Sequence, residues 1–313
     1  MKKLMAVAVL ALSAFGATSG FAAVPDACKS VRFSDVGWTD ITSTTAITTG
    51  ILKDLGYKTD IKILSVPVTY ESMKNKDIDV FLGNWMPTME SNIAPFKKDG
   101  TVDVVRANLT GAKYTLATNQ YGAALGIKSF ADIAKHKSDL DGKIYGIEPG
   151  NDGNRLILGM IKKGQFDLKG FDLVESSEQG MLAQVKRADR AKKPIVFLGW
   201  EPHPMNSNFK LTYLSGGDDV FGPNYGGATV YTNVRGGYVK DCPNVGQLLK
   251  NLKFSLAMEN QIMGSILDEK MDPAKAADKW LKANPSVLDA WLKGVTTVDG
   301  KPGEPEVKKA LGL

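Results

Sequence analysis

Three of the five tryptophans in this chain stand at the ends of segments that have the composition of buried β-strands. Trp85 and Trp200 each follow a Val-Phe-Leu-Gly run, and Trp38 follows the predicted strand 31–36 through one glycine. In parallel α/β sheets, ligands bind beyond the carboxyl ends of the strands. We therefore expect these indole rings to face a ligand, although the sequence leaves open that they pack in the core or at its rim.

Aromatic rings that converge on one point favour one kind of ligand. Tyr114 begins the predicted strand 114–118, where its side chain can face a cleft, and it would add a fourth ring. The faces of such rings are electronegative and attract a cation, at about 0.5–2 kcal/mol per ring. A quaternary ammonium group donates no hydrogen bonds, so rings must replace its hydration. The sequence therefore predicts a site for a small quaternary ammonium compound, closed by Trp200.

Two polar residues near these rings are candidate partners for the rest of the ligand. Asp40 lies just before a helix predicted over 42–55, where it could be a counter-charge or could simply cap that helix. Asn151 lies in a segment rich in Gly and Asn between a strand and a helix. It offers a donor and an acceptor there, or it forms a plain turn.

Groups that could support catalysis are few. The chain has two histidines, His136 in a charged run and His203 between two prolines, a setting that favours a rigid turn. Neither shows the spacing of a metal site or of a base beside a nucleophile. A secreted hydrolase of choline esters, using His203 with Glu201 or Asp40, is a remote alternative. We expect a protein that is not an enzyme, with no catalytic residues, no metal and no cofactor.

Short β-rich runs alternate with helical stretches, which predicts an α/β fold. The predicted strands are 31–36, 62–66, 79–82, 114–118, 143–147, 194–198, 210–214 and 229–234. The predicted helices are 42–55, 70–74, 154–163, 180–189, 245–256, 258–268, 272–284 and 287–292. Trp280 and Trp291 fall in the last two helices and are predicted to pack them together.

An internal similarity suggests two lobes. Residues 79–87 resemble 195–202, each with a Val-Phe-Leu-Gly run, a tryptophan and a proline, and 114–119 more weakly resemble 229–234. Such repeats predict equivalent parts of two similar lobes, joined by two hinge crossings. Lobe one is predicted over 23–112 and 229–313, and lobe two over 113–228. One continuous α/β domain with a chance repeat is the alternative.

The N-terminus predicts export. Two lysines and an apolar stretch over 4–15 precede small residues that end at Ala22, a pattern typical of a signal peptide over 1–22 and too short to span a bilayer. The residues before Cys28 do not form a lipid-attachment motif, so no membrane anchor is expected. Removal of the two lysines lowers the formal charge from +5 to +3. A surplus this small, without basic runs, does not indicate nucleic-acid binding.

The cysteine content fits an exported chain. Cys28 and Cys242 are the two cysteines, and in an oxidising compartment a disulfide between them is the default expectation. The alternative, a metal or redox pair, lacks histidine partners and a Cys-x-x-Cys spacing.

Four segments carry a resemblance to a known family. Gly37–Asp40, Gly83–Pro87, the strand at Tyr114 and Gly199–Asn206 resemble the choline-binding proteins of ABC importers, within the wider glycine betaine/proline-betaine binding family. The likeness extends over essentially the whole mature chain, and its Gly-Trp-Glu-Pro-His block is fairly specific. It implies the two-lobe periplasmic binding protein fold, with a mixed, mainly parallel sheet flanked by helices in each lobe, and delivery of choline to an ABC permease. We further expect a monomer.

The resemblance also implies roles for individual residues. It places an aromatic box around the trimethylammonium group, formed by Trp38, Trp85, Tyr114 and Trp200. Asp40 and Asn151 would complete the site around the ammonium and the hydroxyl end, and the family's disulfide falls on Cys28 and Cys242.

Related functions remain as alternatives. A receptor for glycine betaine or carnitine, taken up as osmoprotectants, would keep the class and change the ligand. Asp40 favours a ligand with a hydroxyl group and disfavours one with a carboxylate. A receptor that feeds a chemotaxis sensor instead of a transporter is not distinguished by the sequence.

Overall fold

Nine strands form one mixed sheet in the computed structural model, which describes residues 24–313. The strands are β1 Ser30–Asp35, β2 Lys58–Ile63, β3 Val80–Met86, β4 Val102–Asn119, β5 Lys143–Tyr145, β6 Asp172–Val174, β7 Val196–Glu201, β8 Leu211–Tyr213 and β9 Gly227–Arg235. Their order is β2-β1-β3-β9-β4-β7-β5-β6, and β8 pairs with β4. The signal peptide predicted over 1–22 lies outside the described residues.

Two long strands connect the two ends of this sheet. β4 pairs antiparallel with β9 from Val102 to Lys113 and with β7 from Lys113 to Thr118. β9 also pairs with β3, so β1, β2 and β3 lie on one side of the β4–β9 pair, and β5, β6 and β7 lie on the other. Within each group the pairs β1–β2, β1–β3, β5–β6 and β5–β7 are parallel. The lobe boundaries at 112/113 and 228/229 stay predictions.

Helices link the strands. They are α1 Thr39–Asp54, α2 Val66–Lys74, α3 Glu90–Lys98, α4 Gln120–Leu125, α5 Phe130–Ile133, α6 Asp152–Lys163, α7 Glu178–Arg190, α8 Met205–Asn208, α9 Asp218–Phe221, α10 Pro223–Gly226, α11 Tyr238–Asp241, α12 Pro243–Asn251, α13 Leu256–Leu267, α14 Pro273–Ala283, α15 Val287–Trp291 and α16 Gly303–Leu311. Short 3-10 turns cover Asp26–Cys28, Ala134–His136 and Gln165–Asp167.

Some predicted elements are wrong in their bounds. The strand predicted over 62–66 lies instead at β2, because the chain enters α2 at Val66 and Pro67 occupies its first turn, where the fixed φ of proline suits a helix start. β4 begins at Val102 rather than Tyr114, since its pairing with β9 outweighs a sequence that contains Asn108 and Gly111. α1 begins at Thr39, so its first turn contains Asp40.

Helix α1 shows how tertiary packing overrides local propensity. Threonine is a weak helix former, yet this threonine-rich segment is helical and mostly buried against α13 and α14. The Thr48 and Thr49 hydroxyls each donate to a carbonyl one turn earlier, at 2.8 Å, so their burial leaves no hydroxyl proton unpaired. The packed helix holds its N-terminus at the carboxyl end of β1.

The two cysteines form the predicted disulfide. Cys28 and Cys242 are bonded, with their Cα atoms 5.5 Å apart, and the bond joins the start of the described chain to the segment after β9. Trp280 and Trp291 stack on each other in the C-terminal helices, which confirms their predicted packing role. Among residues 24–313, no helix combines the length and the apolar character that crossing a bilayer requires.

Candidate ligand-binding site

Four aromatic side chains enclose a small cavity between the two groups of strands. Trp38, Trp85, Tyr114 and Trp200 all line it, and each is at most 6 % exposed. The ring of Tyr114 lies 6.0 Å from that of Trp85 and 6.3 Å from that of Trp200, both edge-to-face. The space between the rings, counted together with its opening to solvent, is about 280 Å³. The four rings predicted to converge are therefore brought together around one space.

Strand register explains why the rings meet. Tyr114 of β4 and Trp200 of β7 are direct partners in an antiparallel pair, so their side chains leave the sheet on the same face. Trp85 is the penultimate residue of β3, and Trp38 is the residue that precedes α1 at the end of β1. β4 contacts both groups of strands, and Tyr114 thus lies between the two tryptophans of the repeated Val-Phe-Leu-Gly runs.

A buried carboxylate lies against the rings. The Asp40 Oδ2 atom accepts a hydrogen bond from the Trp85 indole at 3.2 Å, whereas Oδ1 has no partner among the described residues. Burial, and secondarily the charge of Glu178, raises the pKa of Asp40 to about 8. Asp40 does not occupy the N-cap position of α1, which belongs to Trp38. Its unpaired oxygen can therefore serve a ligand.

Asp152 supplies a second carboxyl group that sequence reasoning missed. It lines the same cavity, it is fully buried, and its Oδ2 makes no hydrogen bond of ordinary geometry within the described part of the chain, although the nearby Thr88 hydroxyl and Arg155 partly offset the effect of burial on its pKa. Burial raises its pKa to about 6. Its position next to Asn151, at the start of α6, was the available signal, but the sequence pattern singled out only Asn151 in that segment. A cation placed between Asp40 and Asp152 would compensate both.

Asn151 both caps a helix and lines the cavity. Its Oδ1 accepts from the Asn154 backbone amide at 3.1 Å and from the Tyr114 hydroxyl at 2.9 Å. Its Nδ2 makes a long contact of 3.4 Å with Asp152, and its side chain lies near enough to Glu148 to lower the pKa of that carboxyl. Asn151 therefore combines the two roles that the sequence left open. Its side-chain oxygen stabilises the turn and holds the Tyr114 ring, while its side-chain NH2 group can donate to a ligand.

Further side chains support the box. The Trp38 indole donates to Glu148 Oε1 at 2.9 Å, and burial raises the pKa of Glu148 to about 7. Ile147 adds an apolar contact to the cavity wall. Neither was a predicted site residue, although both lie in the segment that precedes Asn151.

His203 does not form the arrangement that a hydrolase would need. Its Nδ1 accepts from the Met205 amide at 2.9 Å, and its Nε2 faces Glu178 Oε1 at 3.2 Å. Glu201 instead lies 3.5 Å from the Lys113 ammonium. His203 is therefore paired with neither Glu201 nor Asp40, and it lies behind the ring of Trp200, with the ring centroids 4.9 Å apart.

Two groups of strands, two crossing strands and a ligand-sized cavity between them define the class of two-lobed substrate-binding proteins. The sequence is consistent with this class. Residues 29–283 match the family OpuAC, described as the substrate-binding domain of an ABC-type glycine betaine transport system. The chain belongs to this family, and the predicted two-lobe α/β fold is confirmed. The family consists of binding components of transport systems rather than enzymes.

Solved structures include similar proteins. One, described as an ABC-transporter choline binding protein in complex with choline, is 72 % identical, covers 92 % of this chain and 100 % of its own, and has a TM-score of 0.91. A second structure, described as an ABC-transporter choline binding protein in an unliganded semi-closed conformation, is also 72 % identical. It covers 92 % of this chain and 100 % of its own, with a TM-score of 0.86.

A curated relative with a different ligand in its name also matches. The glycine betaine/carnitine transport binding protein GbuC of Listeria monocytogenes is 33 % identical over 157 residues, which are 50 % of this chain and 51 % of that protein. The chain therefore spans about half the length of this relative.

Proposed function

We propose that this protein binds choline in the periplasm, within the box formed by Trp38, Trp85, Tyr114 and Trp200, and delivers it to an ABC permease. The observation that carries the proposal is a pair of carboxyl oxygens, on Asp40 and Asp152, that lack a hydrogen-bond partner among residues 24–313 and lie inside an aromatic enclosure. A buried carboxylate without a partner is unfavourable, and a cation held between the rings offsets that cost. The 72 % identity to a protein described as binding choline supports the same ligand.

The polar groups fit an alcohol better than a carboxylate. The choline hydroxyl can donate to a carboxylate oxygen of Asp40 or Asp152 and accept from the Asn151 amide. A ligand carboxylate would meet the same two acids. No lysine or arginine is present among the described residues that line the cavity, so nothing there would compensate its charge. We therefore assign glycine betaine and carnitine a lower affinity than choline.

Calorimetric titration of the mature protein with choline, acetylcholine, glycine betaine and carnitine tests this assignment. Choline should bind with the highest affinity of the four, and the two carboxylates should bind weakly or not at all. Tighter binding of glycine betaine than of choline would replace the proposed ligand while leaving the aromatic box in place.

The protein is proposed to release its ligand unchanged. His203 is already engaged by Met205 and Glu178, so neither of its nitrogens faces the cavity acids. Incubation with choline esters and phosphocholine, followed by proton NMR, should show binding without product. Turnover that disappears in His203→Ala would contradict a pure binding role.

Other parts of the proposal concern organisation. We propose cleavage of a signal peptide over 1–22, a monomeric mature protein, and lobes at 23–112 with 229–313 and at 113–228. Mass spectrometry of the periplasmic protein tests the cleavage site, and light scattering tests the monomer. A mass that retains residues 1–22, or a dimer in solution, would overturn the corresponding part.

A further inference from the structure

The carboxylate of Glu178 is bound to the other lobe. Glu178 begins α7, in proposed lobe two, and its Oε2 accepts from the Thr39 backbone amide of lobe one at 2.8 Å. Its Oε1 accepts from the Thr39 hydroxyl. Both residues are at most 5 % exposed, and neither lines the ligand cavity. This contact therefore joins the lobes beside the ligand without touching it.

Helix α1 depends on this contact for its N-terminal cap. Its N-cap residue is Trp38, whose side chain makes no capping hydrogen bond. The first amides of a helix have no partner within the helix, and a carboxylate there is favoured by both hydrogen bonding and the helix dipole. In α1 the carboxylate that accepts from the Thr39 amide comes from Glu178, across the cleft. Opening of the lobes would remove it.

His203 holds Glu178 in position. Its Nδ1 accepts a hydrogen bond from the Met205 amide, so the ring proton is on Nε2 and is donated to Glu178 Oε1 at 3.2 Å. The same imidazole lies edge-to-face against Trp200, a wall of the box. A continuous set of contacts therefore runs from Trp200 through His203 and Glu178 to Thr39.

The capped residue lies between two residues of the site. Trp38 and Asp40 flank Thr39, and both line the cavity. Closure brings the negative charge of Glu178 towards Asp40, and the two carboxylates repel each other. This repulsion contributes to the raised pKa of Asp40. A cation in the box offsets that repulsion. A ligand shifts a conformational equilibrium only through such a difference between the two states.

We propose that Glu178 is an interlobe latch, positioned by His203, which caps α1 only in the closed state and so couples cation capture to closure. The proposal rests on the proposed function, because it requires a cationic ligand. A latch holds the ligand in after closure and contributes little to the first encounter. Its loss should therefore accelerate dissociation much more than it changes association.

Stopped-flow tryptophan fluorescence with choline tests the latch in Glu178→Gln. The side-chain NH2 group of a glutamine would face a hydrogen-bond donor of Thr39 or His203. Two donors cannot bond to each other, so at least one hydrogen bond to the Glu178 carboxylate is lost. We expect dissociation to become about 10- to 100-fold faster, with association within about twofold of wild type. Small-angle scattering at saturating choline should show a larger radius of gyration than wild type.

Asp132→Asn is the matched control. Asp132 also caps a helix, α5, but its bonds to Ser129 and Lys128 lie within lobe two. The dissociation rate of Asp132→Asn should equal that of wild type. The ligand-free melting temperature of Glu178→Gln should stay at the wild-type value, because the latch does not form in the open state. A purely structural role for Glu178 would instead lower the ligand-free melting temperature and leave dissociation unchanged.

The outcomes separate the two proposals. If wild type binds choline and Glu178→Gln releases it at the wild-type rate, the latch proposal is overturned and the choline assignment stays intact. Equal acceleration in Glu178→Gln and Asp132→Asn also overturns it. Wild type that binds none of the quaternary amines removes both proposals.

Discussion

Two tryptophan clusters in this molecule are built from the same residue type and do different things. The cavity cluster of Trp38, Trp85 and Trp200, with Tyr114, lines one cavity, and the Tyr114 ring lies edge-to-face with those of Trp85 and Trp200. The C-terminal pair of Trp280 and Trp291 stacks with ring planes 23° apart and centroids 6.4 Å apart. In the C-terminal pair, each indole therefore turns one face towards the other ring.

The hydrogen-bond partners of the indoles also differ between the two clusters. The Trp280 indole donates to Gln261 Oε1 at 2.7 Å, a neutral partner. The Trp85 indole donates to Asp40, whose second oxygen is unpaired. The proposed cation site thus differs from the structural pair in having an acid oxygen without a hydrogen-bond partner among residues 24–313, rather than in the number of its aromatic residues.

Removal of a cavity indole should produce the largest loss of binding. Trp85→Ala or Trp200→Ala is expected to weaken choline binding by about 2–4 kcal/mol, through lost cation–π attraction and lost buried apolar area. This corresponds to roughly 30- to 1,000-fold in Kd by calorimetry. A loss below about threefold in both variants would mean that these rings do not form the site.

Choline affinity should also depend on pH, because the ligand needs an ionised acid and carries no titrating group itself. Burial, and secondarily the charge of Glu178, raises the pKa of Asp40 to about 8 in this structure, so the carboxyl is protonated below that pH unless a cation is bound. Choline binding must then displace the proton, so affinity should rise with pH from 6 towards 8, by at most about tenfold per unit, and level off above. Calorimetry at pH 6, 7 and 8 measures this.

Asp40→Asn is the control for that dependence. The variant should bind choline more weakly and lose the slope that Asp40 causes, leaving what Asp152 and Glu148 contribute around their pKa values of about 6 and about 7. An unchanged slope in Asp40→Asn would assign the titration to another group.

A glycine in the first turn of α6 should separate ring placement from helix stability. A Cβ at Gly153 would lie 2.1 Å from the Tyr114 hydroxyl, whereas one at Gly159, in the same helix, meets nothing within 4 Å. Gly153→Ala should displace Tyr114 and weaken choline binding by about 1–2 kcal/mol. Gly159→Ala should leave affinity unchanged and raise stability by up to about 1 kcal/mol. Equal affinities for both variants would show that Tyr114 tolerates displacement.

The sequence predicted the aromatic part of the site better than its acids. Indoles after repeated Val-Phe-Leu-Gly runs are local features, and β3 and β7 place Trp85 and Trp200 accordingly. Asp152 was missed because its role depends on burial between the lobes. When two polar residues are adjacent at the start of a helix, as Asn151 and Asp152 are, the sequence does not show which of them faces a cavity.

Long-range contacts were likewise beyond local patterns. The first half of β4, from Val102 to Lys113, is defined by its pairing with β9, more than a hundred residues later. Glu178 and Thr39 are separated by 139 positions and belong to segments without an unusual composition. Such residues acquire their roles only when the two lobes meet, so the sequence alone carried no signal for them.

Trp280→Ala should have the smallest effect on the ligand and a clear effect on the fold. The variant removes the stacked partner of Trp291 and the bond to Gln261, and because Trp280 is only partly buried we expect a loss of about 1–3 kcal/mol in unfolding free energy. Choline affinity should stay within about twofold of wild type. Urea unfolding and calorimetry on the same preparation measure both quantities. A loss of affinity comparable to that of Trp85→Ala would erase the distinction between the two clusters, because a structural pair would then control the ligand.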